Sequence, residues 1–199
     1  KAVFVTGGPN SGKDVIIREC IAEHRATELN FVQAYEYFTK TKINNKKVYD
    51  VRLESVLRHY PLIINGPADD FEMVAFIKEH LEQTGYKTMM VFVNTSDEVS
   101  KQRNEARALS GGRVITETVR FSKWQDAQEN FERYERLFEN CYKVDNSIDL
   151  KTASGRDIAA HSLMKRRLAE AVYTFMTEDY GAGDVYDYRI FSPVNMTVV

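Results

Sequence analysis

The stretch Gly7-Gly8-Pro9-Asn10-Ser11-Gly12-Lys13-Asp14 constrains this chain more than any other part of it. The apolar run Ala2-Val3-Phe4-Val5-Thr6 precedes it, and Val15-Ile16-Ile17-Arg18-Glu19-Cys20-Ile21 follows with helical apolar spacing, so the order is strand, glycine-rich turn, helix. That is the setting in which G-x-x-x-x-G-K-[ST] cradles phosphate. Glycines let backbone N–H groups turn inward on phosphate oxygens, a helix N-terminus adds partial positive charge, and Lys13 can reach the outer phosphates. Residues Gly7, Gly8, Pro9, Asn10, Ser11, Gly12, Lys13 and Asp14 are therefore the candidate nucleotide cradle. Only the last position departs from the motif. Asp14 stands where a Ser or Thr hydroxyl would ligate Mg²⁺; it can bind the metal directly or through water, but it also brings a carboxylate close to the phosphates.

A chain of 199 residues suits one α/β domain with a single sizeable core. Its net charge of −2 gives no global attraction to nucleic acid or membrane, so a polyanionic ligand must be met by a local basic site. The two cysteines, Cys20 and Cys141, read as buried thiols rather than a disulfide or redox pair. No apolar run is long enough to span a membrane and no signal peptide is recognisable, so a cytoplasmic setting is the expectation.

Taken in order, the chain alternates. Strands are expected at 2–6, 28–33, 61–67, 88–94 and 142–145, and helices at 13–24, 34–42, 49–59, 71–85, 97–109, 116–140 and 155–176. Asp69 or Asp70 caps the helix that ends at Gly85, and Thr95 or Ser96 caps the next. Such alternation implies a parallel sheet with helices on both faces, and ligands then bind at the carboxyl ends of the strands. The Gly7 loop, 65–70, 94–96 and 145–147 should share that rim.

The P-loop at the extreme N-terminus, the strand Leu62–Gly66 leading into an acidic turn, the strand Thr88–Val93 and an arginine-rich helix ending in a glycine break resemble the nucleoside-monophosphate-kinase-like branch of P-loop kinases. Within that branch, the run Val91-Phe92-Val93…Glu98…Arg103-Asn104…Arg107 is similar to zeta-toxin-type kinases and to predicted kinases of tailed bacteriophages. The resemblance covers about 2 to 147. It implies a three-layer fold with a five-stranded parallel sheet in the order 2-3-1-4-5, ATP and Mg²⁺ as cofactors, and a lid over the phosphates at about 108–120 within a kinase-like domain of 1–178.

Phosphoryl transfer needs positive charge on the developing phosphate oxygens more than covalent chemistry. Arg103 and Arg107, four apart, share a helical face, and Gly111-Gly112-Arg113 adds a third guanidinium on a flexible connection. By resemblance Arg103 lies near the adenine and Arg107 and Arg113 approach the phosphates, with Arg120 a fourth candidate. A carboxylate is also required, as metal ligand or as base for the acceptor. The usual acid at the end of the third strand is here Asn65, so Asp69 is the preferred base or metal-water ligand, with Asp14 as the second metal candidate. Asp50 and Arg52 fall where the family's acceptor helices lie, although an ordinary exposed helix explains them as well.

Other features read as structure. Trp124, Phe131, Tyr134 and Phe138 have core spacing; Tyr35, Tyr37 and Phe38 can wall an acceptor pocket or simply pack; Lys165, Arg166 and Arg167 form a solvated face; the four histidines form no metal pattern. Residues 179–199 read as a turn, an alternating strand-like run at 185–191 and Pro193, a candidate docking strand for this domain, a protein partner or a second copy. Two functions follow: an ATP-dependent kinase acting on a small-molecule, nucleotide or modified-base acceptor, or a degenerate nucleotide-binding module serving an assembly through its tail.

Overall fold

The computed structural model describes residues 1–21, 26–44, 58–112, 114–149 and 152–178. Its centre is β1 (Ala2–Gly7), buried at every position. In parallel register it pairs with β3 (Leu62–Pro67) on one side and β4 (Thr88–Asn94) on the other. β2 (Thr27–Asn30) and β5 (Cys141–Asp145) complete the sheet, giving five parallel strands in the order β2-β3-β1-β4-β5. This is the sheet and the strand order that the resemblance implied.

Alternation along the central strands builds two cores. Phe4, Ile64 and Phe92 face α2 (Phe31–Asn44), α3 (Phe71–Gln83) and α5 (Glu117–Leu137), whereas Val3, Val5, Ile63, Val91 and Val93 face α1 (Lys13–Ile16, continued through Ile21) and α6 (Gly155–Thr177). The strand period of two makes a one-residue slip exchange the cores, so the register that carries the loop after β1 is strongly specified. Tyr134 and Phe138 lie in the first core with Phe131 packed on it, as their spacing predicts. Phe38 also belongs to this core, while Tyr35 is 38% exposed against Phe76; the side chain of Tyr37 lies outside the described residues.

Several boundaries differ from expectation for physical reasons. β2 stops at Asn30, and α2 starts at Phe31 rather than 34, because Asn30 and Gln33 cap each other: the Gln33 amide donates to Asn30 Oδ1 at 2.9 Å and the Asn30 amide to Gln33 Oε1 at 3.0 Å. α5 ends at Leu137, short of 140, where Phe138 turns extended into the core and the Asn140 carbonyl already accepts from Met90 beside β5. α1 is α-helical over Lys13–Ile16 and continues as a π-turn over Ile17–Ile21. The helix expected at 49–59 falls on residues outside those described up to 57, and positions 58 and 59 form a turn. The tail at 179–199 also lies outside them.

α4 (Asp97–Leu109) and β4 have the expected bounds, with Ser96 Oγ capping the helix at the Val99 amide. Both cysteines are free, Cys20 in the core under α1 and Cys141 against the opposite core. Burial raises both thiols, Cys141 to about 11, consistent with inert packing. No described helix is long and apolar enough to cross a membrane.

Candidate functional site

The four segments assigned to the rim do meet. The Ala68 amide donates to the Gly7 carbonyl at 3.3 Å, the Asn146 amide to Asn94 at 2.9 Å, and the Ser96 amide to Ser147 Oγ at 2.9 Å. The loop leaves β1 at Gly7, where a Cβ would stand 2.3 Å from the Val93 carbonyl oxygen, and turns into α1 through Gly12 at φ 85°. Glycine is required at both places, for closeness at one and for φ at the other.

Behind the loop, side chains donate to its backbone carbonyls. Ser100 Oγ donates to Pro9 at 2.8 Å, and the Arg103 guanidinium to Asn10 at 3.2 Å and Ser11 at 3.3 Å. Asn146 Nδ2 donates to the same Ser11 carbonyl at 2.7 Å. The Gly12 carbonyl accepts from the amides of Val15 and Ile16. All these peptides are trans. In a trans peptide the N–H points away from the preceding carbonyl, so committing Pro9, Asn10, Ser11 and Gly12 carbonyls to the rear directs the amides of Asn10, Gly12 and Lys13 away from that support. The Ser11 amide instead closes a turn on Gly8 at 3.3 Å. Forward-facing amides on a strained turn are the anion nest that the motif anticipates.

Lys13 stands at the mouth. Its Nζ donates to the Gly7 carbonyl at 3.3 Å and to Gly8 at 3.5 Å, folding the ammonium over the loop. Burial lowers its pKa to about 8; the Asp14 and Asp69 carboxylates oppose that shift, and the Arg107 cation adds to it. These influences place Asp14, Asp69 and Arg107 within electrostatic reach of one ammonium. The acids divide as the capping rules allow: Asp70 Oδ1 accepts from the Met73 amide at 3.0 Å and caps α3, leaving Asp69 free of that role. Asp69 instead forms an ion pair with Lys123. Its backbone is pinned by α5, since Asn130 Nδ2 donates to the carbonyls of Ala68 and Asp69 at 3.1 Å and the Tyr134 hydroxyl to Ala68 at 3.0 Å.

Two arginines are committed to partners within the protein. Arg103 is turned into the backbone, reaching also the carbonyls of Asn146 at 2.8 Å and Ile148 at 3.3 Å, so it clamps the loop to the segment after β5. Arg120, a candidate for the phosphates, is fully buried and points elsewhere: it binds both oxygens of Glu117 at 2.8 Å, the Asp97 carboxylate, and Ser100 Oγ at 3.0 Å. It ties α4 to α5 and orients Ser100 beneath Pro9. Arg113, Asp50 and Arg52 lie outside the described residues. Among the described residues no cluster of three or more His, Cys, Asp or Glu is arranged for a metal ion. For Mg²⁺, the exposed Asp14 and the Lys123-paired Asp69 are hard oxygen donors within electrostatic reach of Lys13, a pair that fits an ion retaining much of its water.

Sequence reading missed the neutral supports. Asn146 is 5% exposed; besides the bonds above, its Oδ1 meets His161 Nε2 at 3.0 Å. Since Nδ2 is donating, Oδ1 accepts and the imidazole carries its proton on Nε2. Burial, with Lys165 adding, lowers the His161 pKa below its ordinary value. Asn104, also buried, holds the chain before α5 through Ile115 and accepts from Asn10 Nδ2 at 3.4 Å. Trp124 packs beside Gly8 and donates to the Thr95 carbonyl at 2.8 Å. The topology could mark position 146 as rim, but not its contact with a residue 135 positions away.

No protein-family model matches the chain, and no curated protein does. Among solved structures it is similar in backbone course to a gluconokinase from Sinorhizobium meliloti 1021, at 15% identity and a TM-score of 0.48 over 89% of this chain and 97% of that one. A structure from the PezAT chromosomal toxin-antitoxin system of Streptococcus pneumoniae gives 16% identity and 0.48 over 89% and 87%. A shikimate kinase from Acinetobacter baumannii, in complex with shikimate, gives 14% and 0.47 over 87% and 93%.

Proposed function

We propose that this chain is an ATP-dependent phosphotransferase that moves the γ-phosphoryl group to a hydroxyl or phosphate of a small-molecule, nucleotide or modified-base acceptor. The observation that carries this reading is the loop itself: its carbonyls are held from the rear, its amides face forward, and Lys13 stands at its mouth. In this reading the forward-facing amides of Asn10, Gly12 and Lys13 hold the β-phosphate. Lys13 leaves the Gly7 and Gly8 carbonyls for the β- and γ-oxygens. Arg107 and Arg113 neutralise charge on the transferred group from the lid, and Arg103 borders the base while holding the loop. Asp69, released from Lys123, accepts the acceptor's proton or holds a metal-bound water. Mg²⁺, held near Asp14 and Asp69, supplies charge neutralisation between the phosphates when bound.

Calorimetric titration of ATP with and without Mg²⁺ against wild type and Lys13→Ala, with ADP release followed in the same samples, tests the reading. Magnesium-dependent binding that disappears in Lys13→Ala supports it and opens an acceptor screen. A folded wild type that binds no ATP sinks it, and the candidate docking strand at 179–199 then becomes the subject, to be tested by deleting 180–199 and measuring oligomeric mass and stability.

A further inference from the structure

The chain departs from the P-loop kinase pattern at two positions 51 apart, Asp14 and Asn65, and the structure brings them into contact. Asn65 Nδ2 donates to Asp14 Oδ1 at 3.4 Å and to Glu28 Oε1 at 2.8 Å. The register explains the meeting. Asn65 lies opposite Val5 on β1 and Asn30 on β2, two residues beyond Ile63, and so emerges on the face covered by α1, where Asp14 occupies the first turn. Glu28 lies two residues before Asn30 on the same face of the edge strand.

In P-loop phosphotransferases the loop supplies a neutral hydroxyl to the metal and a separate acidic residue supplies the charge. Here the charge is on the loop and the neutral group is on the strand. An asparagine amide carries two N–H donors and no charge, so it can satisfy two carboxylates together. An aspartate at 65 would instead put three carboxylates around one point, each raising the cost of ionising the others. We propose that Asp14 and Asn65 are a single exchange: the metal-facing carboxylate has moved from the third strand into the loop, and Asn65, shared with Glu28, is the positioning residue that aims it. The ligand is a hard divalent cation, Mg²⁺ with its nucleotide, and the inference rests on the phosphotransferase reading for that nucleotide.

The test is a cycle of Asp14→Ser, Asn65→Asp and the double variant, read by ATP calorimetry with and without Mg²⁺ and by melting in EDTA and in millimolar Mg²⁺ without nucleotide. Asp14→Ser should reduce the Mg²⁺ enhancement of ATP affinity by about tenfold, and adding Asn65→Asp should restore most of it, the non-additivity expected of groups that act on one ion. Asn65→Asp alone should melt below wild type in EDTA and regain the loss in Mg²⁺, whereas the double variant, with the carboxylate count of wild type, should behave like wild type. An Asp14→Ser protein that keeps the full Mg²⁺ enhancement overturns the proposal, and so does a double variant no better than Asp14→Ser. If wild type binds no ATP the phosphotransferase reading fails by itself; the melting arm still decides the exchange, which is overturned if Asn65→Asp melts like wild type in EDTA and does not respond to Mg²⁺.

Discussion

The two sides of the P-loop are built from opposite materials. Behind it stand Ser100, Asn104 and Asn146, neutral and buried, with one guanidinium, Arg103, spent wholly on four carbonyls. In front stand Lys13, Asp14, Asp69 and Arg107, all charged, of which Lys13, Asp14 and Asp69 have taken partners inside the protein. The difference separates two demands. A neutral donor on a buried carbonyl has no better alternative, so it fixes the backbone. A charged group on a carbonyl or on a half-exposed partner can exchange it for phosphate or metal. Substitutions behind should therefore lower stability and affinity together, and substitutions in front should lower affinity alone.

The largest effect is expected in front. Lys13→Ala should weaken ATP binding by about 100-fold, or about 2.7 kcal/mol. Its melting temperature should stay level or rise, because a buried cation is removed. A parallel fall in melting temperature would mean that Lys13 braces the loop and would erase the contrast.

Behind the loop, Arg103→Met keeps the stem and removes the carbonyl contacts. It should cost about 2–3 kcal/mol in urea unfolding, since hydrogen bonds from a charged donor are worth about 1.5–3 kcal/mol each with partial replacement by water. Affinity for ATP should fall with it, by about tenfold. Arg120→Met is the comparison variant: stability should drop by about 2–4 kcal/mol through loss of the Asp97 and Glu117 pairs, and the effect on the nucleotide should pass through the Ser100 link to Pro9.

How much of this was legible follows from how far apart the partners are. β4 and α4 could be bounded because their signals are local: an apolar run, a Ser96 cap and a glycine break. The reciprocal cap of Asn30 and Gln33 is local too, but the apolar Phe31 and Val32 between them mimic a strand. Arg120 shows the limit more clearly. On the sequence it is one more arginine near a glycine break, like Arg107. Its role depends on Asp97, 23 positions earlier, which only the packing of α4 on α5 brings to it. Likewise the capping spacing allowed Asp69 or Asp70, and the choice was made by Lys123, 54 positions away. Local geometry made the loop readable; the supports are tertiary and were not.

The relay behind the loop gives a smaller effect. Asn146→Ala should cost about 1–3 kcal/mol because it removes the shorter of the two hydrogen bonds on the Ser11 carbonyl, leaving only Arg103 there, and takes the acceptor from the His161 ring. His161→Gln preserves a donor, so it should change stability at pH 8 by under about 1 kcal/mol. It should differ in acid. A histidine whose folded pKa is lowered binds fewer protons folded than unfolded between the two pKa values, so it subtracts stability as pH falls from 6.5 to that folded value, below which the loss is complete. The Gln variant should lose less melting temperature between pH 7 and pH 5 than wild type; identical acid limbs would remove His161 from the account.

The smallest expected effect concerns the partner that Asp69 holds. Lys123→Met breaks an ion pair whose lysine is 46% exposed, so stability should change by under about 1 kcal/mol. Its signature is a proton count. With burial lowering the Lys13 pKa to about 8, part of the free protein is deprotonated there in mildly alkaline buffer, and phosphate, by holding the ammonium, should draw in a fraction of a proton on binding. Calorimetry in two buffers of different ionisation enthalpy measures that uptake. Without Lys123 the Asp69 charge is no longer compensated, its pull on the Lys13 ammonium strengthens, and the free protein is already more protonated. Uptake at pH 8 should then shrink while Lys13→Ala abolishes it. Unchanged uptake in Lys123→Met would show that Asp69 does not act on the loop lysine, and the front of the site would lose one of the groups that make it adjustable.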